Sequence, residues 1–149
     1  LLYDDSIKLT LMDSLNKRLL FIEEVLDELG LEARVIHARA EEAALKKSMR
    51  ESFDFAVSRA VAPMNILCEL CLPFVKTGGR FAAMKSTSCD GELSEASRAI
   101  KLLGGEIEEV KDYEIKPAGI VHRAVIVKKT KTTPKGYPRR FAKIKSSPL

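Results

Sequence analysis

Apolar and polar positions alternate from Ile7 to Met12, with Leu9 and Leu11 on one face and Lys8 and Thr10 on the other. That period of two predicts a short strand, closed by Asp13. The period then changes. Leu15, Leu19, Ile22, Leu26 and Leu29 fall at alternating four- and three-residue intervals, which is one apolar stripe on an α-helix. Asp13 or Ser14 is placed to cap its first turn, and Gly30 suits the position just past its end. A weaker alternation over Glu32–His37 predicts a second strand with the character of a sheet edge, followed by a short helical stretch in ARAEEAALKKSMRE. FDFAVS, residues 53–58, is the clearest strand, with Phe53, Phe55 and Val57 sharing a face and Arg59 at its carboxyl end. Pro63 opens a helix through MNILCELCLPFV, which Thr77-Gly78-Gly79 ends. Arg80–Met84 reads as a buried strand with Lys85 at its end. Asp90–Leu103 is an amphipathic helix, with Leu93, Ala96, Ile100 and Leu103 inward. Two further strands, Glu106–Ile115 and Val121–Lys129, are joined by about five residues, too few for a parallel crossover, so they are antiparallel neighbours.

The order is β-α-β-(α)-β-α-β-α-β-β. Alternation predicts a parallel sheet with helices on both faces, and the closing hairpin adds an antiparallel strand. In open α/β sheets a carboxylate at the carboxyl end of a strand, beside a helix start, is placed to hold the ribose of a nucleotide-like cofactor. Asp13 occupies such a position. Arg59, on position alone, fits a surface role as well as one aimed into the crevice above the strands. His37, alone at a strand end, reads as a surface residue. No G-x-G-x-x-G or similar phosphate-cradling turn occurs. The first strand and glycine-rich turn that normally open such a domain would belong upstream of Leu1. In their absence the edges of the first and third predicted strands lose a shared neighbour.

Composition narrows this little. The chain has 149 residues, of which 46% are hydrophobic and 31% charged, as in ordinary globular proteins. No apolar run approaches the roughly 20 residues of a membrane span, and the N-terminus does not read as a secretory signal. The chain starts with two leucines rather than Met, as if within a longer protein. Cys68, Cys71 and Cys89 form no metal set. The C-x-x-C lies in an apolar helical run, so these cysteines read as packing residues of a chain in a reducing compartment.

Charge distribution says more. The net charge of +4 conceals eight basic residues and no acid between Lys128 and Leu149, against 17 basic and 21 acidic residues elsewhere. A division into a body, 1–130, and a basic tail, 131–149, follows, and the tail points to a polyanionic partner. Tyr137 and Phe141 interleave with its cations, a combination suited to RNA. Pro134, Pro138 and Pro148 favour an extended tail over a helix.

At this level of detail the residues resemble a family. LMDSLNKR-x-x-F, ARAEE, FD-x-x-x-SRAVA, LCLP-x-x-K-x-GG-x-F-x-x-MK, HRAVIVKK and the ending TPKGYPRRFAKIKSSPL are together similar to the RsmG (GidB) family of bacterial methyltransferases, over essentially the whole chain. The resemblance implies a Rossmann-like S-adenosylmethionine-dependent methyltransferase fold whose first strand, glycine-rich loop and N-terminal helices have no counterpart here. It implies methyl transfer from S-adenosyl-L-methionine to N7 of a guanine in small-subunit (16S) rRNA, in the cytoplasm. The partner would be 16S rRNA or the 30S subunit, with neither membrane nor metal, and this portion alone would be inactive. By the same resemblance Asp13 approaches the cofactor ribose, Ala40 and Glu41 lie at its adenine end, and Arg59 belongs to the cofactor site. Lys85, Arg123 and Arg39 face the substrate, and Lys17 and Arg18 touch RNA; the tail's own basic and aromatic pattern adds Arg139 and Arg140 to the RNA contacts. N7 of guanine carries a free lone pair, so no general base is expected and no catalytic residue is named. Two other readings remain open from the residues: a non-catalytic RNA-binding module, and another Rossmann-like nucleotide enzyme such as a dinucleotide oxidoreductase.

Overall fold

The computed structural model describes Leu1 and residues 4–149. Its elements are β1 (Thr10–Asp13), α1 (Asn16–Glu28), β2 (Arg34–His37), α2 (Ala40–Ala43), β3 (Phe53–Arg59) and α3 (Met64–Cys71). After a 3-10 turn at Leu72–Phe74 come β4 (Val75–Lys85), α4 (Asp90–Leu102), β5 (Gly105–Ile115), β6 (Ile120–Lys129) and α5 (Phe141–Ser146).

The strands form two sheets. β1 and β2 pair in parallel, and a four-stranded sheet runs in the order β3-β4-β6-β5. β3 and β4 are parallel, whereas β6 is antiparallel to both β4 and β5. The closing hairpin is therefore antiparallel as expected. Its second strand pairs with β4, and its first lies at the edge. β1 pairs only with β2 and β3 only with β4, so each keeps one edge unpaired among the described residues. That is the consequence foreseen for strands without a shared neighbour.

One core holds the larger sheet. Phe81 and Ala83 of β4 and Val125 and Val127 of β6 pack with Met64, Leu67 and Cys68 of α3 and Ala96, Ala99 and Ile100 of α4. Phe81 is wholly buried, which is worth about 2–3 kcal/mol for a side chain of this size. α3 and α4 pack against each other, so both lie on the same face. The expectation of helices on both faces is not met among the described residues. Along β3 it is Ala56 and Ser58 that turn inward, while Phe55 and Val57 stand 49% and 60% exposed. A register shift between Phe53 and Phe55 separates Phe53 from that open face and lets it pack edge-on against Phe74. A smaller cluster of Ala43, Ala44, Met49 and Phe74, flanked by Met12, Ile36 and Phe53, links the two sheets.

α1 differs from its pattern in degree. Of the five-residue stripe only Leu19 is fully buried, Ile22 and Leu26 are half-buried, and Leu15 and Leu29 are 52% exposed. Gly30 has a positive φ of 62°, fitting its role past the helix end. Cys68 and Cys71 are unbridged and lie in the packed α3, where burial pushes the Cys71 thiol up to about 12.

The C-terminal segment departs most from expectation. It is folded against the body and ends in a helix, α5, whose Ile144 is completely buried. The prolines lie outside that helix, so they bound it without interrupting it.

Candidate functional site

Asp13 is the last residue of β1, with α1 starting three residues on. Its Oδ1 accepts the backbone N–H of Leu15 at 2.8 Å and its Oδ2 accepts Arg18 Nη1 at 3.2 Å. These contacts, the Leu15 amide foremost, hold its carboxyl below the usual range, so it is ionised at neutral pH. Neither Asp13 nor Ser14 caps α1: its N-cap is Leu15, which has no side-chain cap hydrogen bond, and the Asp13–Leu15 contact is a turn just ahead of the helix. The side chain is 26% exposed, which leaves acceptor capacity for a ligand's hydroxyl groups. His37, at the end of β2, contacts the carbonyl of Ser14 through Nε2 at 3.1 Å and ties the two strand ends together.

The ARAEE stretch turns back from β2 into α2. Arg39 is at the N-cap, and its Nε donates to the buried Glu41 at 2.5 Å. Its guanidinium lies 4.6 Å above the Phe141 ring of α5. Ala40 packs in the smaller cluster. Asp13, Arg39, Ala40 and Glu41 thus gather at the carboxyl ends of the β1–β2 pair.

Arg59, Lys85 and Arg123 belong to the larger sheet. Arg59 ends β3, is exposed, and forms no ion pair among the described residues. Ala60 follows it in a left-handed conformation, φ 53°, which turns the chain sharply towards α3. Lys85 is already engaged: its Nζ donates to the Ala62 carbonyl at 2.9 Å and to Glu92 at 2.6 Å. The same Glu92 oxygen accepts the Met64 backbone N–H at 3.1 Å. Lys85 and Glu92 therefore hold the Arg59–Met64 turn in place. Arg123 is clamped between Asp112 on β5, at 2.6 and 3.0 Å, and Asp90 on α4, at 2.7 Å. Asp112, the stronger partner, raises its pKa further.

Lys17 is exposed on α1 beside Arg18. In the C-terminal segment Arg140 is exposed at the N-cap of α5, whereas Arg139 is bound to the buried Glu69. Glu69, Glu92, Asp90 and Asp112 were not singled out by motif, because each acts on a cation carried by a different element, from 7 to 70 residues away. The only local signal was Asp90 and Glu92 in the first turn of α4, where acids suit the helix dipole. Among the described residues no group of His, Cys, Asp and Glu could hold a metal ion, and no helix is long and apolar enough to cross a membrane.

With this geometry in view, comparison with known proteins is informative. A family model described as GidB, rRNA small subunit methyltransferase G, matches residues 1–124. A protein named ribosomal RNA small subunit methyltransferase G from Clostridium beijerinckii is 48% identical over 144 residues, covering 96% of this chain and 60% of its own length. One of the same name from Thermoanaerobacter sp. is 49% identical with the same coverage. The chain thus spans about three fifths of the curated relatives it matches. Among solved structures, an rRNA methylase from Streptococcus thermophilus aligns at TM-score 0.55 and 20% identity, over 83% of this chain and 74% of that one. A methyltransferase from Pyrococcus furiosus aligns at TM-score 0.62 and 15% identity, over 83% and 64%. At these identities the structural likeness establishes the fold, a Rossmann-like methyltransferase fold.

Proposed function

The chain belongs to the GidB family, rRNA small subunit methyltransferase G, and from that membership we propose that the protein transfers a methyl group from S-adenosyl-L-methionine to N7 of a guanine in small-subunit (16S) rRNA. The observation that carries the cofactor side is the ionised Asp13 at the carboxyl end of a parallel strand, beside the start of α1. The residues present fit the nucleoside end of such a cofactor. Asp13 would accept hydrogen bonds from the ribose hydroxyls, Ala40 and Glu41 would border the adenine, and the exposed Arg59 would face the site from β3. The cofactor, when bound, supplies an electrophilic methyl on a sulfonium.

N7 of guanine attacks through a lone pair already available, so the protein need only align and desolvate the two reactants. No side chain has to remove a proton. Lys85 and Arg123 enter this reading through their carboxylate partners. Lys85 fixes the turn that presents Arg59, and Arg123 joins the hairpin to α4. The proposed partner is 16S rRNA or the 30S subunit, in the cytoplasm.

The test combines binding and chemistry. Asp13→Asn in the full protein is expected to weaken S-adenosylhomocysteine binding in calorimetry by about 1–3 kcal/mol, the cost of lost charge-assisted hydrogen bonds. Wild-type protein incubated with 30S subunits and S-adenosyl-L-methionine should yield 7-methylguanosine in nuclease digests analysed by mass spectrometry. Undiminished binding by the variant removes Asp13 from the site, and absence of 7-methylguanosine removes the N7 assignment.

A further inference from the structure

The eight basic residues after Val127 separate into three sets in the folded chain. Lys129 and Arg139 are anchors. Lys129 is fully buried, donating to the Leu72 carbonyl and to Thr133, and Arg139 is forked onto the buried Glu69. Lys128 lies opposite Glu106 on the neighbouring strand. The other five, Lys131, Lys135, Arg140, Lys143 and Lys145, are exposed and form no ion pair among the described residues.

The segment that displays them is fixed along its length. Arg50 donates to the carbonyls of Tyr137 and Thr133 at 2.7 and 2.8 Å and to that of Pro134 at 3.3 Å. Glu51 accepts the Thr133 N–H at 2.6 Å. Ile144 is buried, and Tyr137 and Leu149 pack against the main core. Its path is defined by the same contacts. β6 runs antiparallel to β4, so the chain leaves the sheet at the amino-terminal ends of β3 and β4, beside Arg50 and Glu51. It passes Glu69 on α3 and reaches Arg39, just past the carboxyl end of β2, where Phe141 lies under the guanidinium. Lys46 and Lys47 are exposed on the turn from which Arg50 reaches out.

We propose that this fixed cationic strip is a docking surface for the sugar-phosphate backbone of RNA, leading along the protein to the rim that carries Asp13, Arg39 and Glu41. It deepens the rRNA methyltransferase reading and rests on it. Cations already held in place neutralise phosphates and release counterions without first being ordered. The large apolar side chains of the strip point inward or are covered, since Ile144 is buried and Arg39 covers Phe141, and only the small Pro134, Ala142 and Pro148 are exposed. A lipid surface would need exposed apolar anchors here, whereas a hydrophilic polyanion does not. Arg139 is excluded from the contacts, since its donors are committed to Glu69 and to the Ser147 carbonyl.

The measurement is a fluorescence titration of labelled small-subunit rRNA by the full protein across a series of KCl concentrations, with Arg140→Ala/Lys143→Ala/Lys145→Ala as the variant. The slope of log K against log[salt] should fall in magnitude by about 2–3, from three lost contacts at roughly 0.7–0.9 each. Affinity at low salt should drop at least tenfold, with S-adenosylhomocysteine binding unchanged. Lys131→Glu/Lys135→Glu, in the extended part, should act in the same direction and guards against a folding defect confined to α5. An unchanged slope in both variants, with methyl transfer to 30S subunits intact, overturns the strip and leaves the methyltransferase reading standing. A wild-type protein that neither binds rRNA nor methylates it overturns that reading, and the strip with it. Co-sedimentation with phosphatidylglycerol vesicles that the variants abolish, while their rRNA slope stays put, also overturns the proposal in favour of a membrane surface.

Discussion

Glu69 offers the sharpest test of how the C-terminal segment is held. Its side chain is 1% exposed and its two oxygens receive Arg139 at four points: the backbone N at 2.8 Å, Nε at 2.9 and 3.2 Å, and Nη2 at 2.6 Å. Glu69→Gln keeps the shape and removes the charge, leaving an amide N–H₂ where a guanidinium expects an acceptor. Breaking a buried pair from one side costs about 3–5 kcal/mol. Arg139 remains 20% exposed and can turn partly to water, so the low end, about 3 kcal/mol, applies. With a urea m-value of about 2 kcal/mol/M, the midpoint of unfolding should fall by about 1.5 M with m unchanged. Glu69→Leu/Arg139→Met, which removes both charges, should recover most of that loss. A Glu69→Gln midpoint within about 0.2 M of wild type would refute the anchoring argument. So would a double variant no better than the single one, since the loss would then come from packing.

Burial lowers Lys129 to about 8 from its ordinary value of 10.5, with Glu51 opposing the shift only in part. Its folded pKa is below its unfolded one, so between about pH 8 and pH 10.5 the unfolded chain binds more protons and this group makes stability rise with pH. The stability difference between wild type and Lys129→Met, followed by urea unfolding, should therefore climb with pH by up to about 1.4 kcal/mol per unit in that window and be flat below it. A flat difference throughout would mean that Lys129 keeps its ordinary pKa in the fold, the effect of burial being fully compensated by Glu51. Gly104→Ala tests the junction after α4: φ is +80° and a Cβ would lie 2.2 Å from the Lys131 carbonyl oxygen. Left-handed strain alone is worth about 1–2 kcal/mol, and displacing that backbone should bring the loss in thermal or urea unfolding to about 3 kcal/mol or more.

The legibility of this fold follows from what each signal depends on. β1, α1, α4 and the β5–β6 hairpin were plain in the sequence because period, caps and linker length are local. Asp13 was plain for the same reason: strand end, helix start and acid are contiguous. The covered face of β3 was not legible: Phe55 and Val57 are the more hydrophobic residues, yet Ala56 and Ser58 turn inward. Apolarity identifies a strand buried on both faces without saying which face is covered. The tail was taken for an extended end because its prolines and lysines argue locally against structure. Arg50, Glu51 and Glu69, from 70 to 87 residues away, supply what holds it. Lys85 and Arg123 were read as facing the substrate, because Glu92 and Asp112, 7 and 11 residues away, lie on other elements and meet them only after folding.

The open edges of β1 and β3 carry a thermodynamic meaning. The proposed cofactor contacts are divided between two pieces of sheet, Asp13 with Ala40 and Glu41 on one and Arg59 on the other, joined by a small cluster around Phe53 and Phe74. A ligand that grips both pieces must supply the free energy of holding them in register, and its apparent affinity falls by the fraction of time they are misaligned. Whatever pairs with those edges relieves that penalty in advance. Sheet closure and cofactor affinity are therefore linked quantities, and each should strengthen the other by the same factor.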